Sequence, residues 1–512
     1  MYNSVDKIMI VGGGSAGWMT AATLIKTFPN KKITLIESPN IPTVGVGEST
    51  IGGIKLWTSY LGIDDKEFLK HTDGSYKLSI KFTDFKLGEG FHYPFGDTHI
   101  KDTHSHLNDW WFKKWFYPET PQTDYADCIF PQMALVNQNK ISYNENNNIP
   151  FNFHRHSAYH FDATKFGLWL RDHYCKPRGV NHILEDVNTV EMNDNGVESL
   201  NGKHKADLYI DCTGFKSLLL GKSLQVPFES YSDMLPNNSA WATRKPYKDK
   251  RNELVAYTNC TAIENGWVWN IPLWSRIGTG YVYSDKFVDD DTALKQFQKH
   301  LGTDELEFKK IKMRVGIHEK LWHKNVAAIG LSAGFIEPLE SNGLFSVHEF
   351  VIKLVRALNR EKVSQWDKDN YTYQCKGIFR NFAEFVAMHY GLAQRTDTEY
   401  WRNNFNKEWL REARGKNGII LAFDNKHDDN HFSATGGLHA IATGLHYSPT
   451  ELDYILYVRQ KTKEEFFKEV RPFIEKMNKR RDMWKDSVKD FPILYDFLLN
   501  NIYHEDNYLQ KT

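Results

Sequence analysis

Between Gly330 and Gly343 the chain reads G-L-S-A-G-F-I-E-P-L-E-S-N-G, and that stretch concentrates its reactive side chains. Glu337 and Glu340 are carboxylates able to hold or move a proton. The tip Ser341-Asn342-Gly343 runs into a segment where Leu344, Val347, Val351, Leu354 and Leu358 recur at helical spacing. A helix start has unpaired N–H groups and the positive end of the dipole, so a small anion can settle there. An anion pocket beside a carboxylate is the chemistry this spacing suggests. Gly330-Leu331-Ser332-Ala333-Gly334 also fits G-x-S-x-G, which would make Ser332 a hydrolase nucleophile. Two histidine groups, His92/His99/His104/His106 and His154/His156/His160, raise the question of a metal. They lack cysteine partners and a fixed ligand spacing, so structural or solvated histidines are expected and no metal.

These residues need elements to hold them. The apolar run Val326 to Ile329 reads as a buried strand feeding the loop. At the N-terminus a strand over Lys7 to Val11 leads into Gly12-Gly13-Gly14-Ser15-Ala16-Gly17 and then an apolar helix from Trp18 to about Phe28. Gly12, Gly14 and Gly17 fit G-x-G-x-x-G, with Gly13, Ser15 and Ala16 completing a pyrophosphate-binding turn. A second strand, Ile33 to Ile36, ends in Glu37, where a ribose-binding acid is expected. A hydrolase has no use for that arrangement. Val44 to Thr50 is a second glycine-rich turn, and Ala206 to Thr213 (A-D-L-Y-I-D-C-T) is similar to the second cofactor strand of two-dinucleotide-fold flavoproteins. A cofactor module assembled from separated stretches suits FAD better than NAD.

The totals exclude several classes. Lys plus Arg and Asp plus Glu number 64 each, so no global field favours nucleic acid or an acidic membrane. No apolar run approaches the length of a membrane-spanning helix, and the N-terminus enters a strand without a leader pattern. Five cysteines without a C-x-x-C pair indicate a reducing, cytoplasmic setting. Residues 225–310 alternate as strands, including Gly266 to Pro272 and Thr279 to Tyr283, and suggest a sheet walling the flavin. Past 360 the pattern is helical, with a capping box at Ser448-Pro449-Thr450-Glu451 opening a charged helix that continues to Lys489.

Taken together the chain resembles the flavin-dependent halogenases of the tryptophan-halogenase family. The resemblance is carried by Gly12 to Trp18, by Trp267-Val268-Trp269-Asn270-Ile271-Pro272 (W-x-W-x-I-P), by Phe335 to Gly343 (F-x-x-P-x-x-S-x-G) and by Ser75 to Phe82, which is similar to the segment with the active-site lysine. It extends from about residue 7 to 360 and implies an α/β (α+β) FAD module of the two-dinucleotide, p-hydroxybenzoate-hydroxylase-like type. That module would use residues 1–110, 150–220 and 315–360. An inserted sheet would occupy 220–315, and a helical substrate module 360–512.

The resemblance also implies an activity. FADH2 and O2 oxidise a halide ion to hypohalous acid, which a lysine receives and delivers to an aromatic ring. Lys77 takes that role, and Glu340 that of the carboxylate that positions the oxidant and takes the ring proton. Glu337 reads as a loop-stabilising carboxylate. Ser341, Asn342 and Gly343 would bind halide, Asn342 standing where many members have Thr. Glu48, Val187, Leu331 and Leu344 join Glu37 and the glycine turn in contacting the flavin. Tyr93 and Phe95 would sandwich the substrate. The segment His431 to His439 lacks the Trp and paired Tyr with which free-tryptophan halogenases cage the amino acid, so an indole- or phenol-like substrate is expected. No second G-x-G-x-x-G is present for NADPH, so a separate NAD(P)H-flavin reductase would supply FADH2. Members are often dimers, which allows a homodimer. A flavin hydroxylase and a non-catalytic flavin-binding protein are the rival readings.

Overall fold

The computed structural model describes residues 5–40, 47–96, 106–143, 149–405, 435–448 and 451–503. One sheet of six strands runs in the order Trp322–His323, Val326–Ala328, Leu208–Asp211, Lys7–Val11, Lys32–Glu37, Asn181–Leu184. Its neighbours are parallel except Trp322–His323, which turns back on Val326–Ala328. Parallel strands covered on both faces need apolar side chains on both, and Ile8, Met9, Ile10 and Val11 are all buried. The helix Ser15–Thr27 covers this sheet with Trp18, Met19, Ala22 and Leu24 and packs beside the helix Gly343–Leu358. Between strand and helix the chain passes so closely that a Cβ on Gly12 (φ +112°) would lie 2.3 Å from the Cys212 carbonyl oxygen. One on Gly17 would lie 1.9 Å from the Gly12 carbonyl, so both positions require glycine.

A second sheet of seven strands has the order Lys309–Lys312, Ser239–Lys245, Ile277–Tyr283, Gly266–Pro272, Tyr257–Ile263, Ser79–Thr83, Gly90–Pro94. It therefore draws two strands from before residue 100 as well as four of the 225–310 region, whose Phe228–Ser230 pairs elsewhere, with Gly316–His318. A small third sheet pairs Glu48–Ser49 and Ser75–Lys77 with Ala158–Phe161. Leu78 separates the third sheet from the second. Its N–H donates to the Ala256 carbonyl at 2.7 Å and its carbonyl accepts from Phe95 at 2.9 Å, so Lys77 is held at the seam.

Beyond residue 360 helices dominate, chiefly Gln365–Leu392 and Lys463–Ser487. The single charged helix expected from Ser448 to Lys489 is instead two, Leu452–Arg459 and Lys463–Ser487. Gln460 ends the first in the left-handed conformation (φ 51°). The capping box belongs to Thr462 and Glu465, each side chain meeting the other's backbone N–H. Pro449 and Thr450 of the expected box, and His431 to Ala434 of the expected substrate segment, lie outside the described residues. The five cysteines are buried and unpaired, and among the described residues no helix is long and apolar enough to cross a membrane.

Candidate active site

Lys77 is fully buried. Its Nζ donates to the Thr50 carbonyl at 3.0 Å and to Ser341 Oγ at 2.8 Å, and stands 4.8 Å from the centre of the Phe95 ring. Burial disfavours the ammonium and brings its pKa down to about 7, against the opposite pull of Cys260 and Glu340. A neutral amine has two N–H bonds, and both have acceptors here. What remains is one lone pair.

Ser341 comes from the Glu337 loop, where the 3-10 turn Pro338–Glu340 ends with Ser341 at φ +57°. A left-handed serine is strained unless its surroundings hold it. Here Ser341 Oγ accepts from Lys77 and donates to Ser49 Oγ at 3.0 Å. Glu337 anchors the other end of the loop. Its Oε2 accepts from Tyr390 Oη at 2.6 Å, Asn237 Nδ2 at 2.7 Å and Trp267 Nε1 at 3.0 Å. Trp267 is the first residue of W-x-W-x-I-P, so one function of that run is to hold this loop.

Glu340 faces the lysine side and is buried. Burial raises its pKa, while His389 and then Lys77 pull it down. His389 Nε2 lies 2.7 Å from Glu340 Oε1 by an off-line approach, and neither atom has another hydrogen-bond partner among the described residues. The other ring nitrogen, Nδ1, donates to the Phe385 carbonyl at 3.0 Å. The ring therefore presents Nε2 to Glu340.

Asn342 is the N-cap of helix Gly343–Leu358, with no side-chain cap bond. The start of that helix is the positive end of its dipole, where an anion is favoured. A Cβ on Gly343 would be 3.9 Å from Glu48 Oε2. Burial, then the charge of Asp162, raises the Glu48 pKa to about 7, so this neighbour of the helix start is easily neutralised.

The flavin residues expected from the sequence lie around the C-terminal end of the parallel sheet. Gly14 N-caps the helix Ser15–Thr27 without a side-chain bond and has open space where a side chain would be. A Cβ on Gly13 would collide with the Glu37 carboxylate, which His182 Nε2 meets at 2.7 Å. Val187 follows the edge strand, whose Leu184 pairs with Glu37. Gly330 abuts Ala16, and the next residue, Leu331, is an apolar side chain left 38% exposed, while Leu344 is buried. A glycine cradle at a helix start beside an open leucine fits a dinucleotide with an apolar ring system.

Phe95 and Tyr93 meet edge to face 6.0 Å apart, and Tyr93 meets Phe385 at 6.1 Å. Phe345, Phe382 and Phe385 continue this aromatic wall. Helix Thr435–Gly444 closes on Tyr93, since a Cβ on Gly437 would lie 2.9 Å from its hydroxyl.

Ser332 is no exposed nucleophile. It is buried, and its hydroxyl donates to the Asp211 and Ile329 carbonyls. Among the described residues no group of His, Cys, Asp or Glu could hold a metal. The structure thus gathers Lys77, Glu340, Ser341, Asn342, Gly343, Glu48 and Phe95, while Glu37 and Val187 stay at the C-terminal end of the six-stranded sheet. His389, Asn237 and Tyr390 were not foreseen. An isolated histidine or tyrosine in a long helix carries no local signal of its partner.

Comparison with known proteins agrees with this architecture. The family described as tryptophan halogenase matches residues 7–459. Tryptophan 6-halogenase SttH of Streptomyces toxytricini is 36% identical over 427 residues, covering 78% of this chain and 80% of that protein. Tryptophan 7-halogenase RebH of Lentzea aerocolonigenes is 34% identical over 441 residues, covering 81% of each. The solved apo structure of VirX1 superposes with a TM-score of 0.88 at 36% identity, covering 98% of this chain and 100% of that one. Fold and relatives together define a flavin-dependent halogenase, an oxidoreductase. The chain belongs to the tryptophan halogenase family.

Proposed function

We infer that this enzyme uses FADH2 and O2 to oxidise halide to hypohalous acid and halogenates an electron-rich aromatic through Lys77 and Glu340. The observation that carries this is the buried Lys77 amine, with both N–H bonds committed and the Phe95 ring 4.8 Å from its nitrogen. Reduced FAD, when bound, supplies with O2 the oxidising power that converts halide into an electrophile. Gly12 to Gly17, Glu37, Glu48, Val187, Leu331 and Leu344 would hold it. Ser341, Asn342 and Gly343 bind chloride, bromide or iodide at the helix start. Lys77 captures the electrophilic halogen with its lone pair and presents it over the aromatic wall. Glu340 takes the proton displaced from the ring carbon.

Tyr93 and Phe95 stack the substrate, an indole- or phenol-like ring. SttH and RebH act on tryptophan, which places indoles first. FADH2 comes from a separate NAD(P)H-flavin reductase, and the five unpaired cysteines suit a reducing cytoplasm. The test combines enzyme, reductase, NADH, FAD and O2 with indoles, phenols and tryptophan in chloride, bromide or iodide, read by mass spectrometry. A halogen mass shift lost in Lys77→Ala is expected. Hydroxylated product independent of halide would instead make the protein a monooxygenase, and a strong preference for tryptophan over simple indoles would overturn the substrate assignment.

A further inference from the structure

The hydrogen bonds of Lys77 do not stop at Ser341. Ser341 Oγ donates to Ser49 Oγ at 3.0 Å, and the Ser49 and Thr258 hydroxyls are 2.6 Å apart. Thr258 Oγ1 meets His160 Nε2 at 2.9 Å, and His160 Nδ1 lies 3.4 Å from Ser75 Oγ. Ser75 Oγ donates its single hydrogen to the Pro272 carbonyl at 2.8 Å. Every side chain in this chain is buried.

The chain has a direction. With its hydrogen on the Pro272 carbonyl, Ser75 Oγ can only accept from His160, so His160 carries its hydrogen on Nδ1. Burial holds the ring neutral, so Nε2 presents a lone pair. Thr258 must then donate to His160, Ser49 to Thr258 and Ser341 to Ser49. Ser341 is left only as an acceptor for Lys77. A serine free to rotate beside a neutral amine would donate to the nitrogen, the better acceptor, and occupy the electrons that attack the oxidant.

We propose that His160 is a positioning residue for Lys77, acting through Thr258, Ser49 and Ser341 to keep the amine lone pair uncommitted. This rests on the function proposed above. In the step it protects, nitrogen attacks the halogen of hypohalous acid, the N–halogen bond forms and the O–halogen bond breaks. The departing hydroxide takes the proton released by nitrogen, giving the haloamine and water.

The test uses Thr258→Val, which cuts the chain, and Thr258→Ser, which keeps it. Ser49→Ala cuts it one bond nearer to Lys77 and serves if Thr258→Val does not fold. In one arm hypochlorite is added directly to the protein and N-chlorination of Lys77 is followed by mass spectrometry. We expect it to slow about 10-fold in Thr258→Val and to be unchanged in Thr258→Ser, the scale of one lost hydrogen bond. In the other arm, turnover with chloride and indole is split into halogenated indole and free oxidant trapped by monochlorodimedone. The cut variants should shift that ratio toward leaked oxidant, whereas a merely structural defect lowers both together. Equal Lys77 chlorination in wild type and Thr258→Val, or equal impairment of Thr258→Ser and Thr258→Val, overturns the relay alone. A wild-type Lys77 inert to hypochlorite overturns the lysine role and the relay with it.

Discussion

Glu337 and Glu340 lie in one loop and both are buried, yet their surroundings predict opposite phenotypes for the same substitution. Glu337 Oε2 receives three hydrogen bonds, from Tyr390, Asn237 and Trp267. Bonds to a carboxylate contribute about 1.5–3 kcal/mol each, against about 0.5–1.5 for neutral pairs. Glu337→Gln keeps an acceptor in place but removes the charge, a loss of roughly 3 kcal/mol over three bonds. The eased burial of a charge offsets part of it. A net destabilisation of about 1–3 kcal/mol is expected, measured by urea denaturation with FAD absent. Glu340→Gln removes a carboxyl whose pKa is already raised by burial and whose Oε1, among the described residues, has just the off-line His389 close by. Its stability should stay within about 1 kcal/mol of wild type, while kcat falls roughly 100-fold, as for loss of a general base. A Glu337→Gln protein as stable as wild type but inactive, beside a Glu340→Gln protein that turns over normally, would reverse the assignment.

Other outcomes follow from the same geometry. Because Lys77 must be neutral and its pKa is brought down to about 7, kcat should fall on the acid side of about pH 7 and level off above it. The same depression means the unfolded chain binds more protons than the folded one from about pH 7 up to the ordinary lysine range, so stability rises with pH across that window; a flat denaturation midpoint there would contradict it. Glu48, with a pKa of about 7 beside Gly343, is anionic above that pH and neutral below it, so the halide KM should drop as pH falls through 7 and lose that dependence in Glu48→Gln. His389→Phe should lower kcat about 10-fold or more and produce a primary isotope effect with ring-deuterated indole, as proton removal by Glu340 becomes slow; an isotope effect of one would leave His389 a packing residue.

What could be read from the sequence was what short-range geometry decides. Gly12 and Gly17 are required by backbone atoms of the same turn or of the neighbouring strand, so a local pattern betrays them. The Gly343–Leu358 helix shows its buried face through leucine and valine spacing. Lys77 differs. Nothing in Ser-Tyr-Lys-Leu-Ser announces a buried lysine, because its burial depends on Phe95, Thr50 and a loop more than 260 residues away. His389 follows Glu340 by 49 residues inside a long helix, and only the packing of that helix brings them together. The break at Gln460 escaped a propensity argument because a left-handed non-glycine residue leaves no compositional mark.

These distances along the chain bear on how a reactive oxidant is contained. The lysine belongs to one sheet, its Ser341 partner to a strained loop more than 260 residues further along the chain, and the Glu337 anchors to the seven-stranded sheet and the Gln365–Leu392 helix. None of these elements forms the site without the others. Ser341 at φ +57° is held by the Lys77 and Ser49 bonds and by its own N–H on the Pro338 carbonyl. A partly opened molecule would therefore lose the Ser341 contact to Lys77 together with the loop conformation that places Asn342 and Gly343. In the function proposed above, capture of the oxidant and binding of the halide would then be coupled through one serine. Hence Ser341→Gly, which relieves the strain but deletes the hydroxyl, should keep the fold yet weaken halide binding and raise oxidant leakage together. A variant in which only one of the two changed would show that the loop and the lysine act independently.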